Sequence, residues 1–157
     1  MGKTISNARP MALADAGKRG ARAQFAALCW RRRRGGIEVV LVTSRDSGRW
    51  IIPKGWPMDG HSPVEAAARE AGEEAGVTGI ASERALGIFT YDKRLRGAAL
   101  PVVVAVFPVE VTALRDDWAE RKARRRRWVP LAKAAKLVSD PDLARLLRDP
   151  TLPALLG

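Results

Sequence analysis

PKGWPMDGHSPVEAAAREAGEEAGV, Pro53 to Val77, is the stretch from which the rest of the chain is read. Its second half predicts a helix from about Ser62 to Ala75. Ser62 is an N-cap, Pro63 fits the first turn, and Glu65 three residues after the cap completes a capping box. Gly76 fits the left-handed position just past the end. Inside these limits Glu70, Glu73 and Glu74 stand at i, i+3 and i+4, so their carboxylates share one face. Like charges at that spacing cost about a few tenths of a kcal/mol per pair. Glu73 and Glu74 also face the negative end of the helix dipole, at roughly 0.3–1 kcal/mol each. Gly72 adds about 1 kcal/mol relative to Ala. A solvated acidic face, supported by the i,i+4 pairs Glu65–Arg69 and Arg69–Glu73, is the plain alternative, and it leaves this uphill placement unexplained. A hard divalent cation explains it, because Mg²⁺ or Mn²⁺ prefers carboxylate oxygen and converts repulsion into coordination.

Around this acidic cluster the protein is basic. The 157 residues carry a formal net charge of +11, with 46% hydrophobic residues. That length predicts one domain with a real core. The charge points to polyanionic partners: nucleic acid, an anionic membrane face or a heavily phosphorylated small molecule. No apolar run is long enough to cross a bilayer. The single cysteine, Cys29, excludes an internal disulfide and a Cys-based zinc site. Set in AALCW, it reads as a buried thiol in a reducing, cytoplasmic protein. Residues 1–21 read as a flexible basic tail without the apolar core of a secretory signal, and residues 22–157 as the single domain.

Outward from the helix, QFAALCW (Gln24 to Trp30) and IEVVLVTS (Ile37 to Ser44) predict a hairpin whose turn carries Arg31 to Arg34. RWII predicts a short strand ended by Pro53. ERALGIFTY and ALPVVVAVFPVEV predict two more strands, with YDKRLRG as a basic loop between them and Pro101 and Pro108 limiting the second ladder. RRRRWV predicts a last strand, and PLAKAAKLV and PDLARLLRD two C-terminal helices. Strands separated by helices of this length predict an α/β layered fold. A carboxylate cluster in a basic protein fits a metal-bridged phosphate substrate, with the metal on the acids and Lys or Arg on the remaining phosphate charge.

These residues resemble the Nudix box, G-x5-E-x7-R-E-U-x-E-E-x-G-U, where U is bulky and aliphatic. Gly55 matches the first glycine, Arg69-Glu70 the RE pair, Glu73-Glu74 the EE pair, Gly76 the last glycine and Val77 the final U. Two positions depart: His61 replaces the first glutamate and Ala71 the first U. The substitution at His61 puts metal number and affinity in question; Asp59 and Glu65 lie nearby as compensating acids. A looser resemblance, over about residues 23–138, is to the diphosphoinositol-polyphosphate and diadenosine-polyphosphate hydrolases of that superfamily.

The resemblance implies an α/β/α sandwich with a mixed sheet and the box as loop–helix–loop. It implies a Mg²⁺-dependent pyrophosphohydrolase, with Mn²⁺ as an alternative, cutting a phosphoanhydride by water attack at phosphorus. Glu70, Glu73 and Glu74 would bind the metal, with the Gly55 carbonyl as a further ligand. Glu73 or Glu74 would activate the water, and Arg69 would hold the box glutamates in place. Glu120, in DDWAE, is a candidate acidic partner outside the box, weighed against an exposed loop acid. Ser44, Arg45 and Lys54 are the favoured phosphate contacts, followed by Arg22, Arg94 and one of Arg124 to Arg127. Trp50 alternates like a core residue, and Trp56 is a candidate for stacking. Two other readings compete: an RNA 5′-end pyrophosphohydrolase, from the arginine runs and without an RNA-binding motif, and a catalytically inactive ligand-binding module, from His61.

Overall fold

The computed structural model describes residues 22–156, so the predicted tail, residues 1–21, lies outside the described residues. Among the described residues, eight strands and four helices follow in the order β1 (Arg22–Arg33), β2 (Gly36–Thr43), β3 (Trp50–Ile51), β4 (Lys54–Gly55), α1 (Pro63–Ala75), β5 (Val77–Ala81), β6 (Gly87–Leu95), β7 (Ala98–Leu114), β8 (Arg126–Pro130), α2 (Leu131–Leu137), α3 (Pro141–Arg148) and α4 (Leu152–Leu155). The strands form one mixed sheet with the path β3-β2-β1-β7-β5. β4 adds to β1, β6 to β7 and β8 to β2. β1 and β7 run parallel over nine residue pairs, from Arg22–Val102 to Trp30–Glu110; every other pairing is antiparallel.

The two-residue alternation of the strands sorts the core into two layers. Phe25, Ala27, Cys29, Val40 and Val42 point to one side, where Ala66, Ala67, Ala71 and Ala75 of α1 pack on them. Ala26, Leu28, Trp30, Val39 and Leu41 point to the other, under Ala134, Leu143 and Leu147 of α2 and α3. The result is the α/β/α sandwich. The alanine face of α1 lets the helix lie close to the sheet, which places its polar edge over the strand ends.

Four local expectations change. Arg31 to Arg33 are strand residues, not turn residues, because Glu38 on β2 pairs with Arg31 at 2.7 Å and lies 3.9 Å from Arg33. YDKRLRG is not a loop: β6 and β7 stay paired from Gly87–Val106 to Leu95–Ala98, and Gly97 at φ 62° makes the turn. Pro101 and Pro108 are both accommodated inside β7. β5 and the short α4 have weak periodic signals and were not expected.

Candidate active site

The cleft begins with a fork in the sheet. β1 pairs with β2 only through Trp30 to Arg33, and its other half opens to admit β4, with Phe25 opposite Gly55 and Ala26 opposite Lys54. Ala27 N–H donates to the Pro53 carbonyl at 2.9 Å and fixes the insertion. This carries Gly55 directly beneath α1. A Cβ at Gly55 would run into the Glu70 carboxylate, so a larger residue there would push the Glu70 side chain out of its place.

α1 forms as the sequence predicts. The Ser62 hydroxyl accepts from Glu65 N–H at 3.2 Å, and the Glu65 carboxylate accepts from Ser62 N–H at 2.8 Å. Glu65 is therefore committed to the capping box and does not compensate for His61. The His61 ring sits 3.0 Å from the Asp59 carbonyl, and neither residue lines the cleft.

The far end of α1 explains how glutamates are tolerated there. All four carbonyls of the last turn accept from residues 115–126, and Gly72 O accepts from the Gly76 cap as well. The Arg115 guanidinium donates to Gly72 O at 3.0 Å, Glu120 N–H to Glu73 O at 3.0 Å, the Trp118 indole to Glu74 O at 3.0 Å and the Arg126 guanidinium to Ala75 O at 2.8 Å. Arg126 also stacks on Trp118, 3.9 Å from the ring centroid. Two cations at the negative end of the dipole offset the penalty calculated from α1 alone. Gly76 closes the helix at φ 66° and lies against the same Trp118 and Arg126.

The three box glutamates do not converge. Glu73 is paired with Arg69 at 3.1 Å on the exposed side and does not line the cleft. Its i,i+4 partner holds it there. Glu70 and Glu74 do meet in the cleft, where each carboxyl group shifts the titration of the other. Glu74 is 5% exposed, and burial pushes its carboxyl up to about 8, with Arg124 pulling it down and Glu70 adding to the rise. Burial also raises Glu70. Two half-buried or buried carboxyl groups facing each other need either a proton or a cation between them. All-oxygen donors beside the Gly55 approach fit a hard divalent ion, although among the described residues no group of three acids is arranged as a ready cage.

Glu120 and Arg124 complete the cleft. Arg124 is nearly buried and bridges Glu120 at 2.7 Å and Glu74 at 3.5 Å, while donating to Thr43 O at 2.9 Å. Arg124 is thus the member of the arginine run that belongs to the site. Its environment was not visible in RRRR, where four identical residues differ only by which side of β8 and its approach they face. Glu120, read as either an acidic partner or an exposed loop acid, lines the cleft.

The cleft of about 430 Å³ also takes in Ser44, Arg45, Lys54 and Trp56. Lys54 stands at the junction with a second lobe of about 490 Å³ that includes Ser44, Tyr91 and Arg94. Its ammonium lies 4.6 Å over the Tyr91 ring, its backbone N–H is 3.4 Å from Glu74 Oε1, and burial lowers its pKa. Arg22 begins β1 opposite Val102 and lines neither lobe. Trp50 packs partly against the core, with Arg125 and Arg127 over its ring.

A mixed-sheet α/β/α sandwich holding a glycine-approached glutamate pair on the edge of one capped helix defines a Nudix-type domain. The family description "NUDIX domain" matches residues 22–150, and the chain belongs to that family. It is 36% identical over 121 residues to Nudix hydrolase 12, mitochondrial, of Arabidopsis thaliana, covering 72% of this chain and 58% of that protein. It is 38% identical over 105 residues to Nudix hydrolase 21, chloroplastic, of the same plant, covering 66% of this chain and 51% of that protein. The chain therefore spans little more than half the length of these relatives. Diphosphoinositol polyphosphate phosphohydrolase 3-alpha of Mus musculus is 33% identical over 121 residues, 76% of this chain and 70% of that protein. The structure of C. elegans Ap4A hydrolase superposes with a TM-score of 0.59 at 24% identity, covering 86% of this chain and 98% of that one, and shares the fold.

Proposed function

We propose that this protein is a metal-dependent pyrophosphohydrolase that cleaves a phosphoanhydride bond in a highly phosphorylated small molecule. The observation that carries the reading is the pair of half-buried Glu70 and buried Glu74 beside the Gly55 approach, set in a cleft with Arg45 and Lys54. The named activity of the mouse relative, a diphosphoinositol polyphosphate phosphohydrolase, supports the same substrate class. Glu70, Glu74 and the Gly55 carbonyl form the oxygen set for Mg²⁺ or Mn²⁺, and Glu73 joins it once its pair with Arg69 opens. The ion, when bound, supplies positive charge to phosphate oxygens and acidity to water.

The chain's own groups do the rest. Lys54 and Arg45 neutralise phosphate oxygens, and Ser44 donates a hydrogen bond. Glu74 carries its own proton only while the site is empty; as the carboxylate, in the loaded site, it would orient the attacking water and take its proton. The water oxygen bonds to phosphorus, the bridging P–O bond breaks, and the bridging oxygen leaves with the second phosphate. Arg124 holds Glu74 and Glu120 in register as a positioning residue. A reducing, cytoplasmic setting fits the buried Cys29 thiol, which burial pushes well above its ordinary range. Among the described residues, no helix is long and apolar enough to cross a membrane.

The test is phosphate and pyrophosphate release from diadenosine polyphosphates, a diphosphoinositol polyphosphate, ADP-ribose, nucleoside triphosphates and 5′-triphosphorylated RNA, with and without Mg²⁺. Glu70→Gln and Glu74→Gln should each lower kcat by on the order of a hundredfold or more. Turnover at the wild-type rate in both variants overturns the assignment. The RNA arm decides the 5′-end alternative, and ligand binding without turnover would favour the inactive module.

A further inference from the structure

Two extensions leave the reaction cleft, and their charges differ. The lobe beyond Lys54 carries Arg49, Lys54, Lys93 and Arg94 against Asp46, Asp92 and Asp140, four cations to three carboxylates. Its polar surface is mixed, with the Tyr91 hydroxyl donating to Gln24 at 2.8 Å. Past Ser44 and Arg45, also against the loop 44–49, lies a groove of about 360 Å³ lined by Arg45, Arg121, Lys122, Arg124 and Arg125, with no carboxylate in its wall.

Arg124 is committed to Glu120 and Glu74. The other four cations face the same open space. Arg45 and Lys122 have no hydrogen bond or ion pair among the described residues. Arg121 has only Asp117, at 3.5 Å, whose side chain is 90% exposed and outside the groove. The groove wall is anchored: Arg125 N–H donates to the Thr43 hydroxyl at 2.9 Å, and its side chain lies 5.4 Å over Trp50. Like charges assembled in one concave wall that holds no carboxylate repel one another, and an anion with several charges relieves that repulsion.

We infer that this groove is a second anion subsite, which takes the phosphate groups remote from the bond being cut, and that the phosphate chain runs over Arg121, Lys122 and Arg125 rather than into the carboxylate-bearing lobe. The Asp92 and Asp140 carboxylates repel phosphate and accept hydroxyl donors, so that lobe takes the uncharged, hydroxyl-bearing end of the substrate. The substrate is then a linear molecule whose phosphate chain lies over the cationic groove and whose sugar-like group lies in the mixed lobe. A ring phosphorylated on all sides would press phosphate against Asp92 and Asp140. This inference rests on the phosphoanhydride reading of the cleft.

The test has two arms. In the first, orthophosphate and inorganic tripolyphosphate are titrated calorimetrically into Mg²⁺-free protein. Tripolyphosphate should bind on the order of tenfold more tightly than orthophosphate. Arg121→Glu/Lys122→Glu, both exposed turn positions, should remove that advantage, and Arg49→Ala/Lys93→Ala should leave most of it. In the second, KM is measured with Mg²⁺ for diadenosine tri- to hexaphosphate. KM should fall with chain length in the wild type and become flat in Arg121→Ala/Lys122→Ala/Arg125→Ala, with little change in kcat. Equal losses for short and long chains, or a loss confined to the Arg49/Lys93 variant, overturn the inference. If the wild type hydrolyses none of the panel, the hydrolase reading fails, and the tripolyphosphate titration still decides the groove.

Discussion

Glu74 is the residue on which sequence and environment meet. Its position in the helix is legible from REAGEEAGV, but its protonation is set by burial and by Glu70 and Arg124. The native protein holds a proton on Glu74 up to about pH 8, whereas the unfolded chain releases it near 4.5. Between these values the native state binds more protons, so stability falls as pH rises; the contribution is complete below the unfolded value and lost through the native one. Burial raises Glu70 in the same direction. Chemical denaturation of metal-free protein should show this decline from pH 5 to pH 8.5, and Glu74→Gln, which mimics the protonated group, should flatten it. A flat wild-type profile would contradict the burial account. His61 and Arg22 mark the opposite case, residues whose types fit a site but whose contacts place them elsewhere.

At the scale of the element, α1 is specified twice. Its start is fully local, in the Ser62–Glu65 box. Its end depends on Arg115, Trp118, Glu120 and Arg126, about forty to fifty positions away. Trp118→Phe keeps a ring beneath Arg126 and removes the donor to Glu74 O. An unsatisfied, part-buried carbonyl should cost about 1–3 kcal/mol, read as a lower urea midpoint at unchanged slope. If the midpoint does not move, the indole bond carries no stability and the helix end is held by the guanidinium groups alone. Sequence reasoning found α1, β1, β2, β7 and β8 because each has a strong periodic or β-branched signal. It missed β5, whose Val77, Thr78 and Gly79 alternate weakly and are ordered by pairing with β7 across a bulge.

For the whole molecule, the acidic pair stands in a basic field of +11, so a cation and an anion would be attracted by different parts of one surface. Mg²⁺ binding to the native state alone should stabilise it by roughly 2.7 kcal/mol at a hundredfold excess over Kd. Thermal unfolding with increasing Mg²⁺ should therefore show a rising Tm in the wild type and little change in Glu70→Gln/Glu74→Gln. An equal rise in both would place the ion elsewhere.

The sequence by itself determined the domain class, the boundaries of the glutamate-bearing helix, the glycine that closes it at 76, and the basic character of the surface. Those follow from local capping, two-residue and helical periodicity, and net charge, which act over a few positions or over the total composition. Only the tertiary structure decided which glutamates face each other, that Glu73 is held off by Arg69, that Arg124 is the member of its run that reaches Glu74 and Glu120, and that one extension of the cleft is cationic while the other is mixed. Each depends on the fork between β1 and β2 and on which face of β8 and its approach a given arginine takes, and such long-range pairing leaves no periodic trace in the chain.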